Sequence, residues 1–248
     1  MRVIYIMWWR QLIRQWRAKG RLVGALGQPL LFLLAFGFGF GPVFQRAGEG
    51  SYLQYIAPGV ISMGVIFSAM FSGIELIWDR QFGFIKETLV APVPRWQIMF
   101  GRACGGATVA LLQALLVALI SLAVGFRVES TAHVLLALVY ASLVALMFTA
   151  LGTAIASVVE DFQAFPLVMN FLVMPLFFLS GALFPLQGVP TALATIARLN
   201  PVAYAVDGVR GALTGSWHFG ASLDLAVLVA MTVALLAVGT ALFTRIEA

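Results

Sequence analysis

The chain has 248 residues, of which 62% are hydrophobic and only 10% charged. So few charges cannot clothe a water-facing surface, where roughly a quarter charged residues is usual, so the composition excludes a soluble globular domain in favour of an integral membrane protein. The formal charge of +5 then reads as orientation and headgroup contact rather than nucleic-acid binding, and the single cysteine, Cys104, excludes an internal disulfide framework.

The first segment, 1–21, is too charged to span. Ile6, Trp9, Ile13 and Trp16 recur on one helix face, with Arg10, Arg14, Arg17 and Arg21 on a neighbouring face. Rings at headgroup level beside guanidinium groups on phosphates describe a helix lying in the membrane interface. It serves as an orientation anchor alone, or as an anchor that also touches a cytoplasmic partner. The arginines follow the first apolar residues and a long apolar run comes next, so the segment does not read as a cleaved signal.

Six apolar stretches are long enough to cross a bilayer: 22–41, 54–78, 102–125, 133–157, 162–184 and 221–243. Each must be helical in lipid, and their internal prolines and glycines predict kinks and close packing. With the N-terminus in the cytoplasm, only Arg46, Arg127, Arg198 and Arg210 of the 15 Lys/Arg fall outside. That bias favours both termini inside. No repeat of fixed period is visible, and the chain reads as one domain.

Between spans 2 and 3 lies QFGFIKETLVAPVPRW. Phe82, Ile85 and Leu89 share a face, Lys86 and Glu87 point elsewhere, and Pro92 and Pro94 stop the helix. The helix, 81–91, is too short and charged to span. It is either a passive interfacial linker or a knob that docks into another protein and passes motion into both flanking spans. Glu75, Asp79 and Arg80 end span 2, and Arg95 and Arg102 begin span 3.

The stretch 185–220 predicts two short helices, about 190–199 and 201–213, the second capped by Asn200 and ended by Gly211 or Gly215. Asp207 and Arg210 are spaced to pair at i, i+3. The segment is too apolar for a freely solvated loop and is expected to re-enter the outer leaflet or roof the bundle.

No catalytic chemistry is legible. GRACGGATVALL (101–112) lacks the G-K-[ST] of a phosphate loop, and Gly101 and Gly105, four apart on a span, read as a helix-packing seat. His133 and His218 stand apart from any cysteine or carboxylate cluster with metal spacing. The middle of each span lacks an ionisable residue, so an ion relay has no coupling site, and Asn170 and Gln113 are the main polar residues at depth. Energy, if used, arrives from elsewhere.

Four segments then look familiar. YLQYIAPGV (52–60), WDRQFGFIKETLVAPVPRWQIMFGR (78–102) with Glu87, Leu89 and Pro92 in an E-x-L-x-x-P pattern, FPLVMNFLVMPLFFLSGALFPL (165–186) and LNPVAYAVDGVRGAL (199–213) resemble, in order, the membrane subunits of type-2 ATP-binding-cassette transporters. The resemblance runs over nearly the whole chain. It implies an all-α integral membrane fold with six transmembrane helices, an N-terminal interfacial connecting helix carrying Trp9, Arg10, Arg14, Trp16 and Arg17, and short extracellular re-entrant helices within 186–213. It implies that 81–91 is a coupling helix, with Phe82, Phe84, Ile85, Lys86, Glu87 and Leu89 seated in a separate nucleotide-binding subunit. Two such ATPase subunits, holding ATP and Mg, would drive two permease chains, identical or paralogous, in the cell membrane. This chain itself would bind no cofactor and be no enzyme.

In that family spans 1, 2 and 5 are implied to border the path, which here points to Phe32, Phe36, Asn170, Phe171 and Phe177. These phenylalanines either face lipid and fill the bundle or line a path without charges, which would suit a hydrophobic or amphiphilic cargo such as a drug, an antibiotic or a lipid-like compound. A deep aromatic track of the kind a sugar chain follows is not evident in the sequence, which places export of polysaccharide or lipid-linked glycan second. A channel, a secondary carrier and a membrane scaffold are the remaining alternatives.

Overall fold

The structure is a computed structural model that describes residues 2–42, 51–84, 93–129 and 131–244. Among these residues it is all helix, with no strand. The main elements are α1 (Arg2–Arg17), α2 (Lys19–Gly39), α3 (Tyr52–Phe71), α4 (Ile74–Gln81), α5 (Arg95–Val124), α6 (Thr131–Val158), α7 (Ala164–Phe178), α8 (Thr191–Leu199), α9 (Pro201–Thr214) and α10 (Ala221–Phe243).

Helix α3 is the axis of the bundle. It is apolar on every side, the signature of a helix packed on all faces, and every residue from Ile56 to Phe67 is buried. Helices α2, α5, α6 and α9 surround it. Helix α10 lies along α6 and buries a single stripe, Asp224, Leu228, Thr232, Gly239 and Phe243. Its other faces are apolar and open, as a lipid-facing helix requires.

Glycines set the closest approaches. A Cβ on Gly73 would lie 2.4 Å from the Gly152 carbonyl oxygen, so α6 touches backbone to backbone at the break between α3 and α4. The break, at Ser72 and Gly73, bends the chain without ending its apolar run. A Cβ on Gly101 would lie 2.8 Å from the Met7 Cβ, and one on Gly105 2.6 Å from the Gln11 Cβ. The two glycines therefore form the seat on which α1 packs against α5, the small-residue packing read from the sequence.

Among the described residues four stretches are long and apolar enough to cross a membrane: Tyr52–Gln81, counted across the α3–α4 break, Arg95–Val124, His133–Val158 and Ala221–Phe243. Val23–Gly39 and Ala164–Phe178 are shorter apolar helices. The stretch 162–184, expected as one span, is helical only over Ala164–Phe178. At about 1.5 Å per residue such a helix falls short of the roughly 30 Å hydrocarbon layer. The chain turns after it, with Gly181 at φ +79°, a left-handed conformation suited to glycine. Helices α4 and α5 extend further toward each other than expected, α5 starting at Arg95 behind Pro94.

Candidate functional site

At one end of the bundle a carboxylate collects three guanidinium groups. Asp79, near the end of α4, accepts from Arg10 Nη2 (3.1 Å) and Arg14 Nη2 (2.6 Å) on Oδ1, and from Arg102 Nη1 (2.7 Å) on Oδ2. Arg14 also reaches Glu75, one turn earlier on α4, at 3.8 Å. The Asp79 and Arg102 side chains are 3% and 6% exposed, whereas Arg10 and Arg14 keep about a third of their surface open. Charge-assisted bonds among buried partners are strong and geometrically demanding. Burial pushes the Arg10 guanidinium below its ordinary value, and Asp79 acts in the opposite sense. Arginine stays charged regardless. The joint thus ties α1, α4 and α5 together.

The local sequence explains this wiring. Arg10 and Arg14 stand four apart on α1, and Glu75 and Asp79 stand four apart on α4. Each pair therefore projects from one face at one-turn spacing. Arg102 lies one turn inside α5 from Ile98 and faces inward. On the other side of α4, Arg80 donates to the Ser157 carbonyl (3.3 Å) and pairs with Glu160 (2.9 Å), while Trp78 stacks on Phe162 at 5.5 Å. The end of α4 thereby also holds the turn between α6 and α7.

Directly after this joint the chain enters the expected coupling segment. Phe82 and Phe84 are exposed. Ile85, Lys86, Glu87 and Leu89 lie outside the described residues. On α1, Trp9 and Trp16 are exposed together with Tyr5 and Ile6, whereas Met7, Gln11 and Gln15 are buried. The helix thus turns its aromatic face outward and amide side chains inward. Arg17 ends the helix, while Arg10 and Arg14 bend to Asp79 rather than away from the protein.

The opposite end is wired differently. The last turn of α7 and the turn after it expose carbonyls that no helix satisfies, and four side chains reach them. Tyr52 Oη donates to Leu183 (2.6 Å), Tyr55 Oη to Gly181 (2.6 Å), and Arg210 Nη2 to Gly181 (2.9 Å) and Ala182 (3.3 Å). Asn200 Nδ2 donates to Leu176 (2.6 Å) while its Oδ1 caps α9 at Val202. The Arg210 guanidinium also lies 4.0 Å over the Tyr55 ring, a cation–π contact. Burial pushes Arg210 below its ordinary value.

The expected Asp207–Arg210 pair is corrected here. Asp207 accepts instead from the backbone N–H groups of His218 and Phe219 at 2.8–2.9 Å, holding the approach to α10. The two side chains sit on one helix face but each is drawn to backbone groups stranded at a chain turn.

The expected path residues are not gathered on one face. Phe177 is fully buried beside the stripe Phe165, Met169 and Val173, whereas Asn170 and Phe171 lie exposed on the other side of α7. Phe32 and Phe36 are half-buried on α2 and belong to a file of rings that the sequence did not suggest. Phe178, Phe32, Phe36, Phe40, Tyr52 and Tyr55 follow one another at centroid distances of 5.2–6.4 Å. Between α1, α2, α3, α4 and α5 lies a cavity of about 480 Å³, near the Asp79 joint.

The ABC-2 type transporter family model matches residues 2–214. The protein named as transport permease ycf38 in Porphyra purpurea is 32% identical over 221 residues, 86% of this chain and 75% of its own. Nodulation protein J of Rhizobium leguminosarum bv. viciae is 27% identical over 245 residues, 96% of this chain and 92% of its own. The chain belongs to the ABC-2 type transporter family, the membrane permeases of ABC transporters, a membership that implies an ABC ATPase as partner.

Proposed function

We propose that this ABC-2 permease works as an exporter subunit, moving a hydrophobic or amphiphilic compound such as a drug, an antibiotic or a lipid-like molecule out across the cell membrane. Two separate ATPase subunits holding ATP and Mg power it, and a second permease chain, identical or paralogous, completes the pathway. The chain supplies walls and levers and no nucleotide chemistry of its own.

The observation that carries this reading is the Asp79 joint. A push on the segment that follows Gln81 acts on α4 at once. Through Asp79 it acts on α1 and α5 as well, because all three helices share one carboxylate. In this reading the Asp79 end faces the cytoplasm, as the Lys/Arg bias favours, with both termini on that side. The α1 aromatic face lies in the interface, and α2 and α7 complete six membrane segments. Helices α8 and α9 then sit at the outer leaflet.

The decisive experiment is co-purification of the tagged full-length chain with an ABC ATPase, followed by ATPase assays in liposomes. A stoichiometric complex whose activity drops with Glu87→Ala or Phe84→Ala supports the reading. A chain that purifies with no ATPase, or a complex indifferent to both changes, contradicts it. Cysteines at Lys86 and Thr195, in a background with Cys104 replaced, are expected to label from opposite sides of the membrane.

A second reading, export of a polysaccharide or lipid-linked glycan, is favoured by one observation, the file of six rings from Phe178 to Tyr55. Rings at such spacing suit stacking against flat, weakly polar faces. Replacing Phe36 and Phe40 with leucine separates the two. A glycan cargo loses transport, whereas a purely apolar cargo keeps it.

A further inference from the structure

The cavity near the Asp79 joint has two features that packing alone does not explain. First, Gln11 on α1 and Gln113 on α5 both line it and are only 6% and 1% exposed. Second, the Gln11 Oε1 acceptor and a Gln113 Nε2 donor have no hydrogen-bond partner among the described residues. A buried amide atom left without a partner carries the full cost of its lost hydration. The side chains that carry this acceptor and this donor come from two helices and line the same space. The rest of the wall is mainly apolar and aromatic, with Met63, Phe67, Phe71 and Trp78 among the lining residues.

The electrostatics narrow what fits. The charged side chain on the wall is Glu75, and it is already engaged with Arg14 at 3.8 Å. An anion would meet that carboxylate, and a cation would have to compete with an arginine. A neutral guest meets neither obstacle. The volume, about 480 Å³, lies within the range of small-molecule sites.

We propose that this cavity is a binding site for an uncharged amphiphile. Its apolar body packs on the rings, and its head, an amide or a hydroxyl, donates to Gln11 Oε1 and accepts from Gln113 Nε2. The site lies inside one chain, walled by α1 on one side. Glu75 belongs to both the cavity wall and the joint, so an occupant sits against the carboxylate that Arg14 holds. The place of the site in transport rests on the permease reading, whereas the binding itself does not.

The test uses the purified full-length chain in detergent, without any ATPase, and a dodecanamide carrying a photoactivatable diazirine on its chain. Mass spectrometry of the crosslinked protein is expected to place the label within 63–78 and 106–113. Gln11→Leu and Gln113→Leu are each expected to lower that labelling about fivefold, the loss of one hydrogen bond. Ser68→Phe, which fills the cavity without touching either amide, is expected to abolish it. Dodecanamide and dodecanol compete, whereas dodecanoate and dodecyltrimethylammonium do not. Labelling confined to outward-facing positions and unchanged in all three variants overturns the proposal, as does equal competition by the charged chains. An absence of cavity label with a well-folded wild type assigns the space to water. Because no ATPase is present, any of these results leaves the exporter reading to be judged by co-purification.

Discussion

The two ends of the bundle use the same residue types for opposite kinds of connection. At the Asp79 end, side chains bind side chains, one carboxylate collecting Arg10, Arg14 and Arg102 from two other helices. At the Arg210 end, side chains bind backbone. Arg210, Tyr52 and Tyr55 hold the carbonyls of one turn, Asn200 holds the end of the helix before it, and Asp207 holds two N–H groups of another turn. The first arrangement is a joint that ties three helices to one carboxylate, so that they move as a unit. The second is a clamp, in which a rigid turn is held at several fixed points. Motion is therefore expected to enter at the joint and to be resisted at the clamp.

The largest effect is expected at the joint's centre. Asp79→Ala leaves Arg102 buried without its carboxylate, and breaking such a pair costs about 3 kcal/mol. Thermal inactivation in detergent measures this loss. The double change Asp79→Leu with Arg102→Met removes both charges and is expected to recover most of the stability while leaving ATP-driven transport absent. Recovery of transport as well would show that the joint serves stability alone.

Next comes the clamp. Arg210→Met removes the donor to Gly181 and Ala182, and bonds of this charged kind contribute about 2 kcal/mol. Transport is expected to fall only in proportion to folded protein, with transport per ATP unchanged. A change in that ratio would erase the distinction between the ends.

A smaller effect is expected where α1 rests on α5. Gly105→Leu forces a side chain into the Gln11 position and costs about 1.5 kcal/mol by overpacking. Its mark is faster proteolysis of the α1 segment. The smallest effect is expected for Arg10→Ala. That side chain is 30% exposed, so its pair contributes only about 0.5 kcal/mol after solvent screening. Loss comparable to Asp79→Ala would mean that the carboxylate depends on Arg10 more than the geometry implies.

These two ends were unequally legible in the sequence. The Asn200 cap and the Pro201 start of α9 are local signals, and the structure carries both. The matched one-turn spacings of Arg10 and Arg14 and of Glu75 and Asp79 were visible. Their meeting required knowing that α1 and α4 are neighbours, which no local pattern states. Residues 179–184 are as apolar as a span, so hydropathy extended α7 through them. The turn there is stabilised by Tyr52, Tyr55 and Arg210 from distant parts of the chain, which periodicity cannot detect. The i, i+3 spacing of Asp207 and Arg210 suggested a pair for the same reason, since spacing says nothing of competing backbone partners.

The most direct test of the joint is a distance measurement. Spin labels at Phe82 and Trp16, both exposed, report on the end of α4 and the end of α1 in the chain assembled with its ATPase. One distance distribution is expected, unchanged between nucleotide-free and ATP-bound complexes, because Asp79 makes the two helices move together, and a nucleotide-dependent shift is expected once Asp79 is changed to Asn. A shift already present in the wild type, or no difference between wild type and Asp79→Asn, would contradict this coupling.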